Sequence, residues 1–261
     1  MENKNIFSIR NLSFAYGNKP VLRKLNFDIL ENKVTTLMGA NGSGKSTLLQ
    51  IMSKNLIQNE GTVTLSGYKV TDIQLKEFAK RVAIVHQYNT APEDLTVEQL
   101  VSYGRTPYQK FNSSKEEKDL DDKKVEQAMK ITGVIKFKDT PVQSLSGGQK
   151  QRVWIAMALA QGTKILLLDE PTTYLDVRYQ IQILKLVKQL NEKYNITVIM
   201  VLHDINQALA YSDEIIALAP NGTLVTKGKP EDVIVPVVIS KMYGISLEVV
   251  TVRDKPFVIT V

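Results

Sequence analysis

The chain has 261 residues, of which 43% are hydrophobic and 23% charged, as in ordinary folded globular proteins. Its net charge of +6 at pH 7 is spread along the chain beside acids rather than gathered in arginine-rich blocks, so charge does not favour nucleic-acid binding. The chain has no cysteine, which excludes disulfides and thiolate metal sites, and no apolar run approaches the roughly 18 residues that span a membrane.

The first part of the chain is dominated by strand patterns. Residues 7–30 alternate apolar and polar side chains and predict two strands joined by a turn at Gly17-Asn18. A Gly-rich turn leads into an apolar helix that starts at Lys45. Three further short strands are predicted at 33–39, 61–67 and 81–87.

The middle of the chain, from about Pro92 to Thr140, has a helical pattern. It contains a highly charged helix that begins with a capping box of Ser114 and Glu117 and ends near Gly133. This charge is typical of a solvated helix face.

The last part of the chain alternates helices and strands. A helix follows Gly148, an apolar strand covers 164–170, and a second strand covers 196–204. A hairpin is predicted around Asn221-Gly222, and the tail ends in a strand pair around 253–256. The helix between the two strands carries one apolar stripe, formed by Val177, Ile181, Leu184, Val187 and Leu190. The whole order predicts an α/β core with an antiparallel start and a helical insertion.

Residues 39–46 (GANGSGKS) match the phosphate-loop pattern between a predicted strand and a helix. Glycines let backbone N–H groups point at phosphates, and the following helix adds its positive end. Lys45 is expected to reach the β- and γ-phosphates of ATP, and the Ser46 hydroxyl to hold Mg²⁺. The candidate nucleotide-binding residues of this segment are Gly39, Asn41, Gly42, Ser43, Gly44, Lys45, Ser46 and Thr47.

The strand at 164–170 ends in two acids, Asp169 and Glu170. Carboxylates at the end of an apolar strand are costly unless they meet a cation or a proton donor. In a phosphate-loop enzyme, Asp169 is expected to hold Mg²⁺ through water, and Glu170 to act as the general base.

Residues 145–149 (LSGGQ) place a Ser-Gly-Gly turn before a long helix, a geometry suited to an anion. They resemble the signature motif of ABC-type ATPases, whose other motifs occur here in the expected order. The resemblance implies a phosphate-loop (RecA-like) core with an antiparallel β subdomain and a helical signature subdomain. It also implies that a second copy packs head-to-tail on the first. The residues expected to bind the ATP of that copy are Ser146, Gly147, Gly148 and Gln149.

Four further residues receive roles from the same resemblance. Tyr16 matches the aromatic that stacks on adenine, and Asp176 (in TTYLD) matches the D-loop. Gln87 matches the glutamine that contacts Mg²⁺ and the attacking water, and His203 matches the switch histidine on the γ-phosphate. Taken alone, a tyrosine such as Tyr16 is more often a packed strand aromatic, and a histidine such as His203 is more often structural than catalytic. The other histidine, His86, is interpreted as structural.

The resemblance implies one ABC ATPase domain over 1–261. Its expected parts are a core of 1–87 and 151–225, a helical subdomain of 88–150, and a short tail of 226–261. With one phosphate loop, one signature and no fused membrane span, the chain differs from translation-type members and from most exporters.

Three local stretches narrow the resemblance to the ATPases of iron-siderophore, haem and vitamin B12 importers, nearest to the ferric-hydroxamate type. They are LTVEQLVSYGRTPYQ, QRVWIAMALAQ and LLLDEPTTYLD. This implies an ATP-hydrolysing subunit on the cytoplasmic face of the membrane that powers import by ATP-driven dimer closure. Its implied partners are a second copy, two permease subunits and, indirectly, an extracellular binding protein, without nucleic acid. The alternatives are a haem or B12 importer, an exporter and a nucleic-acid-clamping ATPase.

Expectations also follow for one further stretch and three single residues. The stretch 104–108 is expected near the surface that receives the coupling helix of the membrane subunit. Trp154 is expected in the core. Ala40 stands where proline is frequent, with little expected consequence, and Lys150 stands where arginine is commoner.

Overall fold

The computed structural model describes residues 4–109, 114–252 and 255–259. Its strands are β1 (Asn5–Tyr16), β2 (Lys19–Leu30), β3 (Val34–Met38), β4 (Glu60–Leu65), β5 (Tyr68–Lys69), β6 (Val82–Val85), β7 (Ile165–Leu168), β8 (Thr197–Val201), β9 (Glu214–Leu218), β10 (Leu224–Gly228), β11 (Glu248–Val252) and β12 (Lys255–Ile259). Its helices are α1 (Lys45–Met52), α2 (Leu75–Ala79), α3 (Val97–Ser102), α4 (Lys115–Thr132), α5 (Gly147–Ala160), α6 (Val177–Tyr194), α7 (Ile205–Tyr211), α8 (Pro230–Val233) and α9 (Pro236–Tyr243).

The chain forms two compact units. The first unit contains Met1–Ile73 and Asn191–Val261, and the second contains Gln74–Leu190. Within the residues described, no helix has the length and apolar character needed to cross a bilayer.

An antiparallel sheet in the first unit has the strand order β2-β1-β4-β5. The β1–β2 hairpin turns at Gly17, whose φ of 56° is a conformation that glycine adopts at little cost. This confirms the predicted pair of strands and its turn. Inward-facing residues of β1 and β2, such as Phe7, Leu12 and Leu25, are fully buried.

A second group of strands in the first unit surrounds β3. This strand pairs in parallel with β8 on one side and β9 on the other, and β10 pairs antiparallel with β9. All residues of β3 and β8 are buried, as expected for parallel strands covered on both faces. Parallel strands end at the same edge, so the phosphate loop after β3 and His203 after β8 start from one edge of the sheet.

The tail forms the predicted strand pair, β11 with β12, although the turn residues 253–254 lie outside the described residues. The Asn206 side chain in α7 docks this hairpin. Its Nδ2 donates to the Val258 carbonyl at 3.0 Å, and its Oδ1 accepts from the Val258 N–H at 2.8 Å. The amide therefore replaces a backbone partner for β12.

In the second unit, β6 and β7 pair in parallel, and α3 and α4 pack on α5. The capping box of α4 is present: Ser114 Oγ accepts from the Glu117 N–H, and the Glu117 carboxylate accepts from the Ser114 N–H. Gly133 ends the helix with a left-handed φ of 74°. Both ends of this charged helix are confirmed. Trp154 in α5 is buried, as predicted.

The predicted apolar stripe of α6 is only half buried. Leu184, Val187 and Leu190 are fully buried, but Val177 is 70% exposed and Ile181 38% exposed. The stripe predicted from the sequence is therefore covered only from Leu184 onward. Helical periodicity fixes which residues share a face, but it does not fix how far that face is covered.

The stretch 104–108 belongs to a 3₁₀ helix in which Arg105 is buried. Its guanidinium donates to the Asp121 carboxylate at 2.8 Å and to the Ala160 carbonyl at the end of α5 at 2.7 Å. The same group lies over the Tyr108 ring, 3.9 Å from its centroid. Arg105 therefore ties this stretch to α4 and α5, and Thr106 is left exposed beside it.

We expect Arg105→Ala to reduce the free energy of unfolding by about 3 kcal/mol, because it leaves a shielded carboxylate without its cation. The matched control is Lys130→Ala. Lys130 forms an exposed pair with Glu126, at 2.6 Å, and its loss should cost under about 0.5 kcal/mol. Urea unfolding of both variants measures the difference, and equal midpoints would contradict a structural role for Arg105.

Candidate active site

The phosphate loop in the first unit depends on glycine at two positions. Gly39 has φ 148°, and a Cβ there would lie 2.4 Å from the Leu218 carbonyl oxygen. Gly44 caps α1 with φ 94°, and a Cβ there would lie 2.4 Å from a Leu22 methyl group. Side chains at either position would be strained and would collide with neighbours. The conformation of this loop therefore requires glycine at both positions.

Lys45 places a buried ammonium inside this loop. The side chain is 5% exposed, and its Nζ donates to the Gly39 and Ala40 carbonyls, both at 2.9 Å. Asn41 and Gly42 form the exposed tip, while Ser43 and Gly44 are buried. Ser46 and Thr47 lie in the first turn of α1, whose N–H groups lack acceptors within the helix. A cation and a helix N-terminus thus converge where phosphates are expected.

Ala40 connects the phosphate loop to the tail. Its N–H donates to the Met242 carbonyl at the end of α9, at 3.2 Å. Proline has no N–H, so it could not form this bond. The Ala40 substitution therefore has a structural consequence that the sequence did not predict. The next residue, Tyr243, has a hydroxyl buried near the Gly39 amide, and this burial raises its pKa to about 12.

Two more candidates lie in the first unit. Tyr16 is 51% exposed, and its ring packs edge-to-face with the Phe14 ring, with centroids 4.8 Å apart at an angle of 85°. Much of the side chain stays accessible to a ligand. His203 follows β8 and is exposed, directly before Asp204, which caps α7 by accepting from the Gln207 N–H at 2.9 Å. The cap holds the backbone next to His203 in place.

The two acids after β7 lie in the second unit. Asp169 is 6% exposed, and its N–H donates to the Val85 carbonyl of the neighbouring strand at 3.0 Å. Glu170 has a left-handed φ of 49°, which a residue with a Cβ adopts only at a cost. Its Oε2 accepts from Gln87 Nε2 at 2.6 Å and from Thr173 Oγ1 at 3.0 Å. The structure therefore brings Gln87 and the candidate general base together.

The donor atoms of the candidate metal residues are all oxygens that suit Mg²⁺. They are the Ser46 hydroxyl, the Asp169 carboxylate and the Gln87 amide oxygen. Among the described residues, no group of three or more His, Cys, Asp or Glu side chains could hold a metal alone. Mg²⁺ usually completes its coordination with substrate phosphates and water. When bound, it neutralises charge on the phosphates.

The signature segment begins α5. Ser146 caps the helix, and its N–H donates to Gln149 Oε1 at 2.9 Å. Ser146 and Gly147 are exposed, whereas Gly148 is buried. A Cβ on Gly148 would lie 2.4 Å from the Tyr179 ring, while one on Gly147 would meet only Leu175, at 3.5 Å. Gly148 thus has a packing role in addition to its expected contact with ATP.

Asp176, the D-loop candidate, caps α6. Its Oδ1 accepts from the Tyr179 N–H at 3.1 Å, and its side chain is exposed. Thr173 was not predicted from the sequence, although its spacing of three from Glu170 is typical of a side chain that returns to the start of a turn. Nor were Tyr88 and Tyr174, which only tertiary structure brings together.

The two signature glycines give a matched pair of substitutions. Gly148→Ala should reduce the free energy of unfolding by about 1–3 kcal/mol, because its methyl group displaces the Tyr179 ring. Gly147→Ala should leave stability nearly unchanged. Thermal unfolding without nucleotide separates the two, and equal losses would show that the ring does not constrain Gly148.

Comparisons with known proteins agree with this arrangement. Residues 22–173 match the ABC transporter family. The chain is 43% identical to the iron(3+)-hydroxamate import ATP-binding protein FhuC of Bacillus subtilis, over 95% of this chain and 91% of that protein. It is 39% identical to the petrobactin import ATP-binding protein FpuC of Bacillus anthracis, over 97% and 92%. The dimeric ATP-binding cassette MJ0796, bound to ADP and phosphate, is 32% identical with a TM-score of 0.73, over 86% and 98%. The chain therefore belongs to the ABC transporter family, as one of its ATP-binding ATPases.

Proposed function

We propose that this chain is the ATP-hydrolysing subunit of an importer for an iron chelate of the siderophore class. The observation that carries the chemistry is the buried Lys45 ammonium inside a glycine loop at a helix N-terminus. The substrate class is supported by the relatives, whose names specify iron(3+)-hydroxamate and petrobactin. Because the two names specify different siderophores, we assign only the siderophore class and no single siderophore.

We assign the catalytic roles residue by residue. Lys45 binds the β- and γ-phosphates, and the phosphate-loop amides orient them. Glu170 accepts a proton from the attacking water. The oxygen of that water bonds to the γ-phosphorus, and the bond between the γ-phosphorus and the leaving ADP oxygen breaks. Gln87 orients that water, and His203 contacts the γ-phosphate. Ser46, Asp169 and Gln87 hold Mg²⁺, and Tyr16 stacks on the adenine.

The active form is proposed to be a head-to-tail dimer. Ser146 and Gly147 are exposed at the N-terminus of α5, in a position to receive a phosphate held by a second copy. The exposed apolar side chains Val177 and Ile181 lie at the start of α6, near the D-loop Asp176. Exposed apolar side chains that lie together can form part of an interface. The dimeric form of the similar MJ0796 cassette supports the same assembly.

The import proposal includes two permease subunits at the cytoplasmic face of the membrane, with a binding protein acting indirectly. The stretch around Tyr103 and Thr106 is proposed to meet the permease, since both side chains are exposed beside the buried anchor Arg105. ATP-driven dimer closure would then move this surface. A haem or B12 importer differs only in the permease and cargo.

Glu170→Gln should bind ATP with little change in affinity but lower kcat by at least about 100-fold, because the general base is lost. The dimer should then accumulate with ATP and Mg²⁺, since hydrolysis no longer resolves it. Size-exclusion chromatography with light scattering measures the assembly, and ADP is the control nucleotide. Wild-type hydrolysis rates in this variant would contradict the role of Glu170.

Cells that carry Lys45→Ala should lose uptake of labelled ferric hydroxamate or another ferric siderophore, because the phosphates lose their cation. Lys130→Ala, an exposed surface change, should leave uptake intact. Loss of haem or cobalamin uptake alone would move the cargo to those classes. Accumulation of a toxic solute, with intact siderophore uptake, would indicate an exporter instead.

A further inference from the structure

Two exposed tyrosines of the second unit share a hydrogen bond. Tyr88 is 69% exposed and Tyr174 is 79% exposed, and their hydroxyl oxygens lie 2.9 Å apart. The ring centroids are 6.1 Å apart at an interplanar angle of 39°. A bond between two exposed side chains contributes little to folding stability, because water competes for both hydroxyls. The role of this bond therefore lies in positioning the residues next to the two tyrosines.

The two tyrosines are the sequence neighbours of the two donors to the candidate base. Tyr88 follows Gln87, and Tyr174 follows Thr173. Gln87 and Thr173 both donate to Glu170 Oε2, at 2.6 and 3.0 Å. The segment after β6 and the segment after β7 are thus joined twice, once at the carboxylate and once at the tyrosine hydroxyls.

The backbone of the second segment is held in an uncommon conformation. Glu170 has φ 49° and Tyr174 has φ 63°, in the left-handed region that is costly for residues with a Cβ. Such conformations persist only where neighbouring contacts stabilise them. The Tyr88 hydroxyl bond is one contact at Tyr174, and the Thr173 bond is another at Glu170.

We propose that Tyr88 and Tyr174 are positioning residues for ATP hydrolysis, whose hydroxyl bond keeps Gln87 on the Glu170 carboxylate. This rests on the catalytic roles proposed above for Gln87 and Glu170. Without the bond, the segment after β6 separates more easily from the segment after β7. Gln87 then spends less time on the base, and the attacking water is less often oriented.

The test uses the full-length protein with Tyr88→Phe, Tyr174→Phe and both together. Each removes one exposed oxygen and keeps the ring, so the folded protein is retained. We expect each single change to lower kcat about three-fold, with KM for ATP and Tm unchanged. The double variant should be no slower than the singles, since one shared bond is lost in all three. Tyr68→Phe, an exposed tyrosine of β5, is the control and should keep the wild-type kcat.

A second arm shows whether the tyrosines act through Gln87. In a Gln87→Ala background, adding Tyr174→Phe should not lower kcat further. Independent, multiplying losses, an unchanged kcat or a raised kcat in the single variants would each overturn the proposal. Glu170→Gln distinguishes failure of this inference from failure of the catalytic roles proposed above. If it abolishes hydrolysis while the tyrosine changes have no effect, only this inference fails; if hydrolysis persists, the proposed catalytic roles fail first.

Discussion

The burial of the Lys45 ammonium is the constraint on which the phosphate loop depends. A lysine that is 5% exposed needs acceptors, and the Gly39 and Ala40 carbonyls supply them at 2.9 Å. Their carbonyls can turn toward Nζ only because Gly39 adopts φ 148° where a Cβ would strike Leu218. The loop therefore closes on its own cation, which lies beside the N-terminus of α1. The Ala40 N–H to Met242 then ties this closed loop to α9.

In the second unit the shielded charges are negative, because two carboxylates follow directly after a buried strand. All residues of β7 are buried, and Asp169 directly after it remains 6% exposed. Glu170 is turned by its positive φ toward two donors, Gln87 and Thr173. The Glu170 carboxylate at this strand end thus receives hydrogen bonds from two neutral side chains. In both units, the candidate residues follow directly after a strand whose residues are all buried.

Features encoded by a few neighbouring residues could be predicted from the sequence. The ends of α4 follow from Ser114, Glu117 and Gly133, because capping acts within four residues. The β1–β2 hairpin likewise follows from its turn and alternating pattern. The exposure of Val177 could not be predicted, because it depends on what covers α6 rather than on the helix itself.

The same limit applies to the candidate site. The phosphate loop and the acids Asp169 and Glu170 were visible as motifs, since their chemistry lies in consecutive residues. The Ala40 bond to Met242 joins positions about two hundred residues apart, and the Tyr88 bond to Tyr174 spans 86 residues. Neither pair has a spacing that a local pattern could reveal. Only the folded backbone identifies them as partners.

The signature glycines show how packing and ligand binding can be separated within one motif. Gly148 is required by this chain itself, because a Cβ would lie 2.4 Å from the Tyr179 ring. Gly147 has no positive φ and is exposed, and a Cβ there would make only an ordinary contact with Leu175 at 3.5 Å. Among the described residues, nothing in the fold demands a glycine at that position. The glycine leaves the backbone at the exposed N-terminus of α5 without a covering side chain, so a ligand or a second copy has room to approach it closely.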